Sequence, residues 1–275
     1  MIGIRKCLFP VAGYGTRFLP STKAIPKEML PVLNKPLIQY GVEEALDSGM
    51  NQIVMVTSKH KGAIQQYFEP HLDIESSVKD TPKEILLEEI NYLITMCEFY
   101  YIEQQQMLGL GHAIYTGKPL ISDEPFAVIL PDDLCTNQGE SVLKQMLKTY
   151  QSHPECCVVA VEVVPETEVN KYGVIDGELL TDSDNTYQVK NMLEKPEPHY
   201  APSNLAIIGR YIFTPDIFEV LSNTQPDHRG EIQITDALNV LAKKGKVIAY
   251  KFHGKRYDCG NFQGYLDANN AFSKL

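Results

Sequence analysis

The sequence predicts an α/β fold, an open, mixed but mainly parallel sheet flanked by helices, with a β-rich part inserted in its second half. Three observations predict it. Apolar runs at 7–11, 52–57, 126–130 and 158–164 alternate with segments of helical period at 36–49 and 141–151, and such alternation builds βαβ units with parallel strands and right-handed crossovers. The first run, Cys7 to Val11, breaks into Ala12-Gly13-Tyr14-Gly15-Thr16-Arg17, as a buried strand entering a glycine-rich turn does. From residue 172 short strand-like segments separated by turn residues replace that rhythm. The chain has 275 residues, 44% hydrophobic and 22% charged, enough for one globular domain with a sizeable core.

The glycine turn is the first candidate site. Without a Cβ at Gly13 and Gly15, consecutive N–H groups can turn toward an anion. Residues 1–36 carry Arg5, Lys6, Arg17, Lys23, Lys27 and Lys35 against Glu28 alone, in a chain of net charge −10. A polyphosphate is the natural occupant. The dinucleotide fingerprint fits poorly, because Phe18 stands where its third glycine belongs and only Asn34 and Lys35 lie where its acid should be, about 20 positions on. A Walker A loop fails, since each Gly-Lys pair (117–118, 245–246, 254–255) continues with Pro, Val or Arg. By itself Gly-x-Gly is also an ordinary turn.

Pro36 is expected to start a helix that buries Leu37, Ile38, Gly41, Val42, Ala45 and Leu46 and stops before Gly49, followed by the strand Gln52 to Thr57. Thr81-Pro82-Lys83-Glu84 reads as a capping box opening an acidic surface helix with Leu86, Ile90, Leu93, Ile94 and Cys97 on its inner face. Tyr100 to Gln104 is a strand running into the second glycine turn, Gly109-Leu110-Gly111-His112-Ala113, where a flat ring could lie against the backbone and a Gln offers both donor and acceptor to a base edge. His112 reads either as a base or ligand or as a packing or capping residue.

Phe126 to Leu130 is a buried strand ending in Pro131-Asp132-Asp133. Ligands of open α/β sheets sit at the carboxyl ends of strands, so the Asp pair should face the first glycine loop, and carboxylate oxygens suit magnesium. Strand alternation points Asp133 away from Asp132. Asp pairs also cap helices and fill turns.

Asp176-Gly177 between Tyr172–Ile175 and Glu178–Leu180 is a two-residue hairpin signal. After a turn at 182–185 the strand Tyr187 to Leu193 leads into Glu194-Lys195-Pro196, which alone would pass for a surface turn. Asn204 to Tyr211 is a further strand, Glu231 to Leu238 begins a helix whose acids need serve only its N-terminal end, Lys251 to Asp258 is the last strand, and a helix from Gly264 offers Tyr265, Leu266, Ala268 and Phe272 to the core or to a subunit interface.

The net charge of −10 excludes broad binding to nucleic acid or membrane surfaces. Six cysteines show no C-x-x-C spacing, and neither a signal peptide nor a membrane-length apolar run is read. Free thiols in the cytoplasm follow, with Cys156 and Cys157 as core or sheet residues.

Residues 7–31 resemble the signature of the sugar nucleotidyltransferases, with PKEMLP at 26–31 in the form found in the bacterial UTP:glucose-1-phosphate uridylyltransferases. The segments around Gln104–His112, Gly173, Glu194-Lys195, Asn204–Tyr211, Glu231–Leu238 and Asp258-Cys259-Gly260 match as well. The resemblance implies a Rossmann-like nucleotidyltransferase fold in one domain, with residues 1–135 mainly for nucleotide, 155–245 mainly for sugar and 246–275 a C-terminal strand and helix. It implies nucleotide contacts from Ala12, Gly13, Gly15, Thr16, Arg17, Lys27, Gln104, Gly109 and Asp132. Sugar contacts fall to Gly173, Glu194, Lys195 and Gly209, and Mg2+ to Asp132 and Asp258. Arg17, Lys27 and Lys195 become the catalytic cations. UTP and glucose 1-phosphate are then substrates, UDP-glucose and pyrophosphate products, and the assembly a homodimer or homotetramer. Glu103 and Phe262 depart from the family pattern. The same chemistry with dTTP or ATP, and a non-catalytic nucleotide-sugar-binding subunit, are the competing readings.

Overall fold

The computed structural model describes residues 3–181 and 183–274. The amino-terminal half contributes the strands Lys6–Pro10 (β1), Pro31–Val32 (β2), Lys35–Pro36 (β3), Gln52–Thr57 (β4), Glu98–Glu103 (β5) and Phe126–Ile129 (β6). The remainder adds Asp133–Thr136 (β7), Cys157–Val163 (β8), Gly173–Leu179 (β9), Thr186–Glu194 (β10), Leu205–Phe213 (β11), Val247–Lys251 (β12) and Lys255–Asp258 (β13). Nine strands form one sheet in the order β5-β4-β1-β6-β11-β8-β12-β10-β9, while β7 pairs with β13 and β2 with β3.

The central strands read as unbroken apolar runs because both faces are covered. Leu8, Val54 and Val128 point into one core layer, whereas Cys7, Phe9, Ile53, Met55, Ala127 and Ile129 point into the other, the period-two split of a strand. Parallel pairing of β1 with β4 and β6 sets the loop after β1 beside the end of β6. The site is positioned there, at carboxyl ends of strands.

The expected open, mainly parallel sheet holds for β5-β4-β1-β6. Beyond β6 the pairings are antiparallel except β8 with β12, and β9 reaches back to β11 through Val174 and Ala206. That contact closes β11, β8, β12, β10 and β9 into a five-strand ring.

The Asp176-Gly177 hairpin does not form. Both residues lie within β9, opposite Asn191 and Val189 on either side of a bulge at Lys190. A Cβ on Gly177 would stand 3.0 Å from Gln188 O, so this glycine admits a bulged partner strand and makes no turn. The chain reverses after Leu179 instead, closed by Leu180 N–H to Thr186 O (2.9 Å). Of the expected turn at 182–185, Asp182 lies outside the described residues.

Three boundaries also move. The predicted strand 251–258 is interrupted at 252–254, where Gly254 takes φ 143°, and its second part pairs with β7. The capping box slips by one: Glu84 accepts from Asp80 N–H (3.0 Å) and Thr81 Oγ1 from Lys83 N–H (3.2 Å), with Asp80 left-handed at φ 60°. The helix Ile85–Met96 therefore buries Leu93 but leaves Leu86 67% exposed. The last helix begins at Phe262, because Asn261 caps it by accepting from Gly264 N–H (2.9 Å). Its Ala268, Tyr265 and Phe272 pack on Phe18, Leu37 and Tyr257, which places it on the core. Cys157 is buried in β8 while Cys156 precedes it, half-buried.

Candidate active site

A cavity of about 590 Å³ opens between the β1 loop, the end of β6 and the five-strand ring. Its wall contains every site residue that the resemblance implies: Ala12, Gly13, Gly15, Thr16, Arg17, Lys27, Gln104, Gly109, Asp132, Gly173, Glu194, Lys195, Gly209 and Asp258. Its size suits a small organic ligand.

At one end the glycine loop is held by Ser58 Oγ on Ala12 O (3.2 Å) and Thr22 Oγ1 on Gly15 O (2.7 Å). Gly15 is left-handed at φ 65°, and a Cβ there would stand 3.0 Å from Lys27 Cβ. Around Gly13 there is open space, so this glycine answers to no protein neighbour and leaves the loop's face clear. The Pro26-Lys27-Glu28 segment is pinned from behind by the buried pair of Glu28 Oε2 with Lys61 Nζ at 2.7 Å. Lys27 then faces the cavity, its ammonium 2.6 Å from Asp132 Oδ2. Burial opposes both charges, but each overcomes it for the other: Lys27 is held above the ordinary ammonium range and Asp132 below the usual carboxylate range.

Asp258 reaches the same place through the β7–β13 ladder, where it stands opposite Asp133, and Cys259 N–H bonds Asp132 O at 2.7 Å. A Cβ on Gly260 would lie 3.0 Å from both Asp132 Oδ2 and Asp258 Oδ1, and Arg17 Nη1 donates to Gly260 O at 3.3 Å. The absent side chain leaves a cradle between two carboxylates. Burial, then Asp133 and Asp132, push Asp258 above the carboxylate range, and a cation in the cradle would relieve that repulsion. No group of three or more His, Cys, Asp or Glu among the described residues forms a closed metal cage. Two carboxylates suit an ion that takes its other ligands from phosphate and water.

At the other end β9 and β10 pair Gly173 with Glu194. Thr235 Oγ1 donates to Glu194 Oε2 (2.7 Å), and Lys195 Nζ lies 3.1 Å from Glu194 Oε1. Lys195 itself is left-handed at φ 46°, an uncommon state for a residue with a side chain. A Cβ on Gly173 would press on Thr235 Oγ1 at 2.9 Å.

Three further features shape the wall. The glycines of the second turn also serve protein packing: a Cβ on Gly109 would stand 2.9 Å from Glu231 Cβ, and one on Gly111 2.7 Å from Ile232 O, while Gly109 still lines the cavity. The backbone of Gly209 is already used, its N–H by Asp133 Oδ2 (2.7 Å) and its carbonyl by Leu130 N–H (2.9 Å). Asp133 does turn away from Asp132, but into a network: Arg256 Nη1 binds Asp133 Oδ1 (2.7 Å), Nε binds Glu162 Oε1 (2.5 Å) and Nη2 binds Tyr172 Oη (3.0 Å). Sequence reasoning missed Arg256, Tyr172 and Thr235, all on the cavity wall; the adjacent Asp pair was the one available signal for Asp133.

The family described as nucleotidyl transferase matches residues 10–274. A UTP-glucose-1-phosphate uridylyltransferase of Pseudomonas aeruginosa is 58% identical over 268 residues, 97% of this chain and 95% of that protein. A solved apo UDP-glucose pyrophosphorylase superposes with TM-score 0.95 at 56% identity, covering 98% of both chains. A UDP-glucose pyrophosphorylase complexed with UDP-glucose gives TM-score 0.91 at 54% identity, over 98% of this chain and 99% of that one.

Proposed function

The chain belongs to the nucleotidyl transferase family, and on that premise we propose that it transfers the uridylyl group of UTP to glucose 1-phosphate, giving UDP-glucose and pyrophosphate. One observation carries this reading: a single cavity has two cationic ends, Arg17 with Lys27 and, on the far wall, Lys195 beside Glu194. The relatives named for this reaction are alike over almost the whole chain.

The attacking oxygen of a sugar phosphate is already anionic, so no general base is required. The protein's task is to hold two repelling phosphates in line and to neutralise charge on the leaving group. In this proposal Arg17, Lys27 and the glycine loop hold the triphosphate, Gln104 reads the base, Lys195 pairs with the sugar phosphate and Glu194 accepts from sugar hydroxyls. Asp132 and Asp258, with the Gly260 cradle between them, would hold a divalent ion, which we take to be Mg2+. When bound, it supplies Lewis-acid stabilisation of phosphate charge.

We take the chain as one domain with a nucleotide half at 1–135, a sugar half at 155–245 in the β-rich part and a C-terminal strand and helix at 246–275. Six free cysteines favour a reducing, cytoplasmic setting, and no described helix is long and apolar enough to cross a membrane. A homodimer or homotetramer is part of the proposal, and Leu72, Ile85 and Leu86 stand 73%, 62% and 67% exposed. A non-catalytic subunit would be expected to lose Arg17, Lys27, Asp132 or Lys195, and all four line the cavity. Pyrophosphate release from UTP, CTP, dTTP and ATP against a panel of sugar phosphates tests the proposal. UTP with glucose 1-phosphate should be fastest, and faster turnover with dTTP or ATP would replace it.

A further inference from the structure

We propose that His112, together with the Gly109 carbonyl, sets the nucleotide preference of this site by fixing which end of the Gln104 amide faces the base. The inference rests on the uridylyl reading and deepens it. Gln104 follows β5, is only 4% exposed, and has its backbone fixed by N–H to Thr57 O at 2.8 Å. Its Nε2 lies 2.8 Å from His112 Nδ1 and 3.5 Å from Gly109 O. A carbonyl can only accept, so the amide NH2 must face Gly109; the opposite orientation would set two oxygens against each other. Nδ1 of His112 then has to accept as well, which puts the imidazole proton on Nε2. Burial holds His112 below its ordinary pKa, favouring that neutral ring.

The ring cannot easily drift. His112 sits in the first turn of the helix Gly109–Thr116, whose Gly111 N–H is bonded to Ile232 O at 2.9 Å, and Thr116 Oγ1 donates to His112 O at 2.8 Å. With both amide hydrogens engaged, Oε1 is what remains. No donor among the described residues reaches it, it is not among the sealed, unpartnered buried atoms, and Gln104 lines the cavity. The site therefore presents an acceptor. Uracil and thymine carry a donor at N3–H, whereas cytosine has a lone pair at N3. An acceptor locked in place admits the first two and repels the third, and it does not separate uracil from thymine.

The test compares kcat/KM for UTP, dTTP and CTP in the wild-type enzyme, His112→Leu and His112→Asp. Leucine removes the shorter of the two contacts that hold the amide and leaves only the 3.5 Å one to Gly109 O, so Gln104 can turn and offer Nε2; the UTP:CTP ratio should fall about tenfold, the worth of one discriminating hydrogen bond, with UTP:dTTP unchanged. Aspartate supplies an obligate acceptor and should hold the UTP:CTP ratio near wild type even where both rates drop. A wild-type ratio in His112→Leu, or an equal loss in His112→Asp, would overturn the proposal. Nitrogen NMR of the wild-type protein gives an independent arm, because a proton on Nδ1 of His112 contradicts the geometry argued here. Preferential use of ATP by the wild-type enzyme would instead sink the uridylyl reading beneath it.

Discussion

The carboxylates of Asp132 and Asp258 flank one gap, each with an oxygen 3.0 Å from the point where a side chain on residue 260 would begin. Strand spacing in the sequence could never join them; the β7–β13 ladder does. Asp132→Asn or Asp258→Asn keeps shape and removes charge, and each should lower activity by about three orders of magnitude, a barrier rise of roughly 4 kcal/mol. The double variant should fall well short of the sum if, as proposed, both residues serve one ion. Gly260→Ala fills the gap without touching charge and should weaken Mn2+ binding in a relaxation titration; unaltered binding there would place the ion elsewhere.

The Arg256 network changes an expectation for Asp133. Asp133 and Arg256 side chains are 14% and 7% exposed, so Arg256→Met strands the carboxylates of Asp133 and Glu162 and should destabilise the fold by about 3–5 kcal/mol. Urea unfolding measures it. A loss below about 1 kcal/mol would mean that solvent screens the network as it does a surface pair.

Lys195 separates charge from backbone. Lys195→Ala should mainly raise KM for glucose 1-phosphate, by the roughly 1.5–3 kcal/mol of a charge-assisted contact. Lys195→Gly should lose as much binding yet unfold at higher denaturant, because glycine relieves the left-handed φ of 46°, worth about 1–2 kcal/mol. Glu194→Gln should relax discrimination among sugars. Wild-type sugar kinetics in both Lys195→Ala and Glu194→Gln would remove the pair from the sugar site.

Acid should loosen the loop behind the second glycine turn. Asp227 accepts from the N–H groups of Glu231 (3.0 Å) and Arg229 (2.8 Å) and from Gln233 Nε2 (3.1 Å), which hold its pKa down to about 2. A depressed folded pKa gives stability that is present above the unfolded value near 3.9 and lost as pH falls toward 2. Amide exchange at residues 229–233, corrected for the intrinsic rate, should therefore accelerate across that window, and Asp227→Ala should already show the fast rate at neutral pH.

The parts of this molecule that were legible in sequence are those encoded locally. Cys7–Gly15 announces a buried strand and a glycine loop through composition alone, and Phe126–Asp132 does the same for a second strand and its terminal carboxylate. Resemblance, not spacing, carried Glu194, Lys195 and Asp258. What stayed hidden depends on pairing between distant segments. Gly177 looks like a turn residue until the Lys190 bulge opposite it is known, and the contact of Val174 with Ala206 that closes the ring leaves no periodic trace. Arg256 is one cation among many in the sequence; only the fold gives it three partners.

Initial rates with UTP varied at several fixed concentrations of glucose 1-phosphate test the central claim most directly, that both substrates occupy this cavity together and react by direct displacement. No residue on the wall is an obvious carrier for a uridylyl group, so the double-reciprocal lines should intersect. Parallel lines, the mark of a uridylyl-enzyme formed before the sugar phosphate binds, would contradict the account.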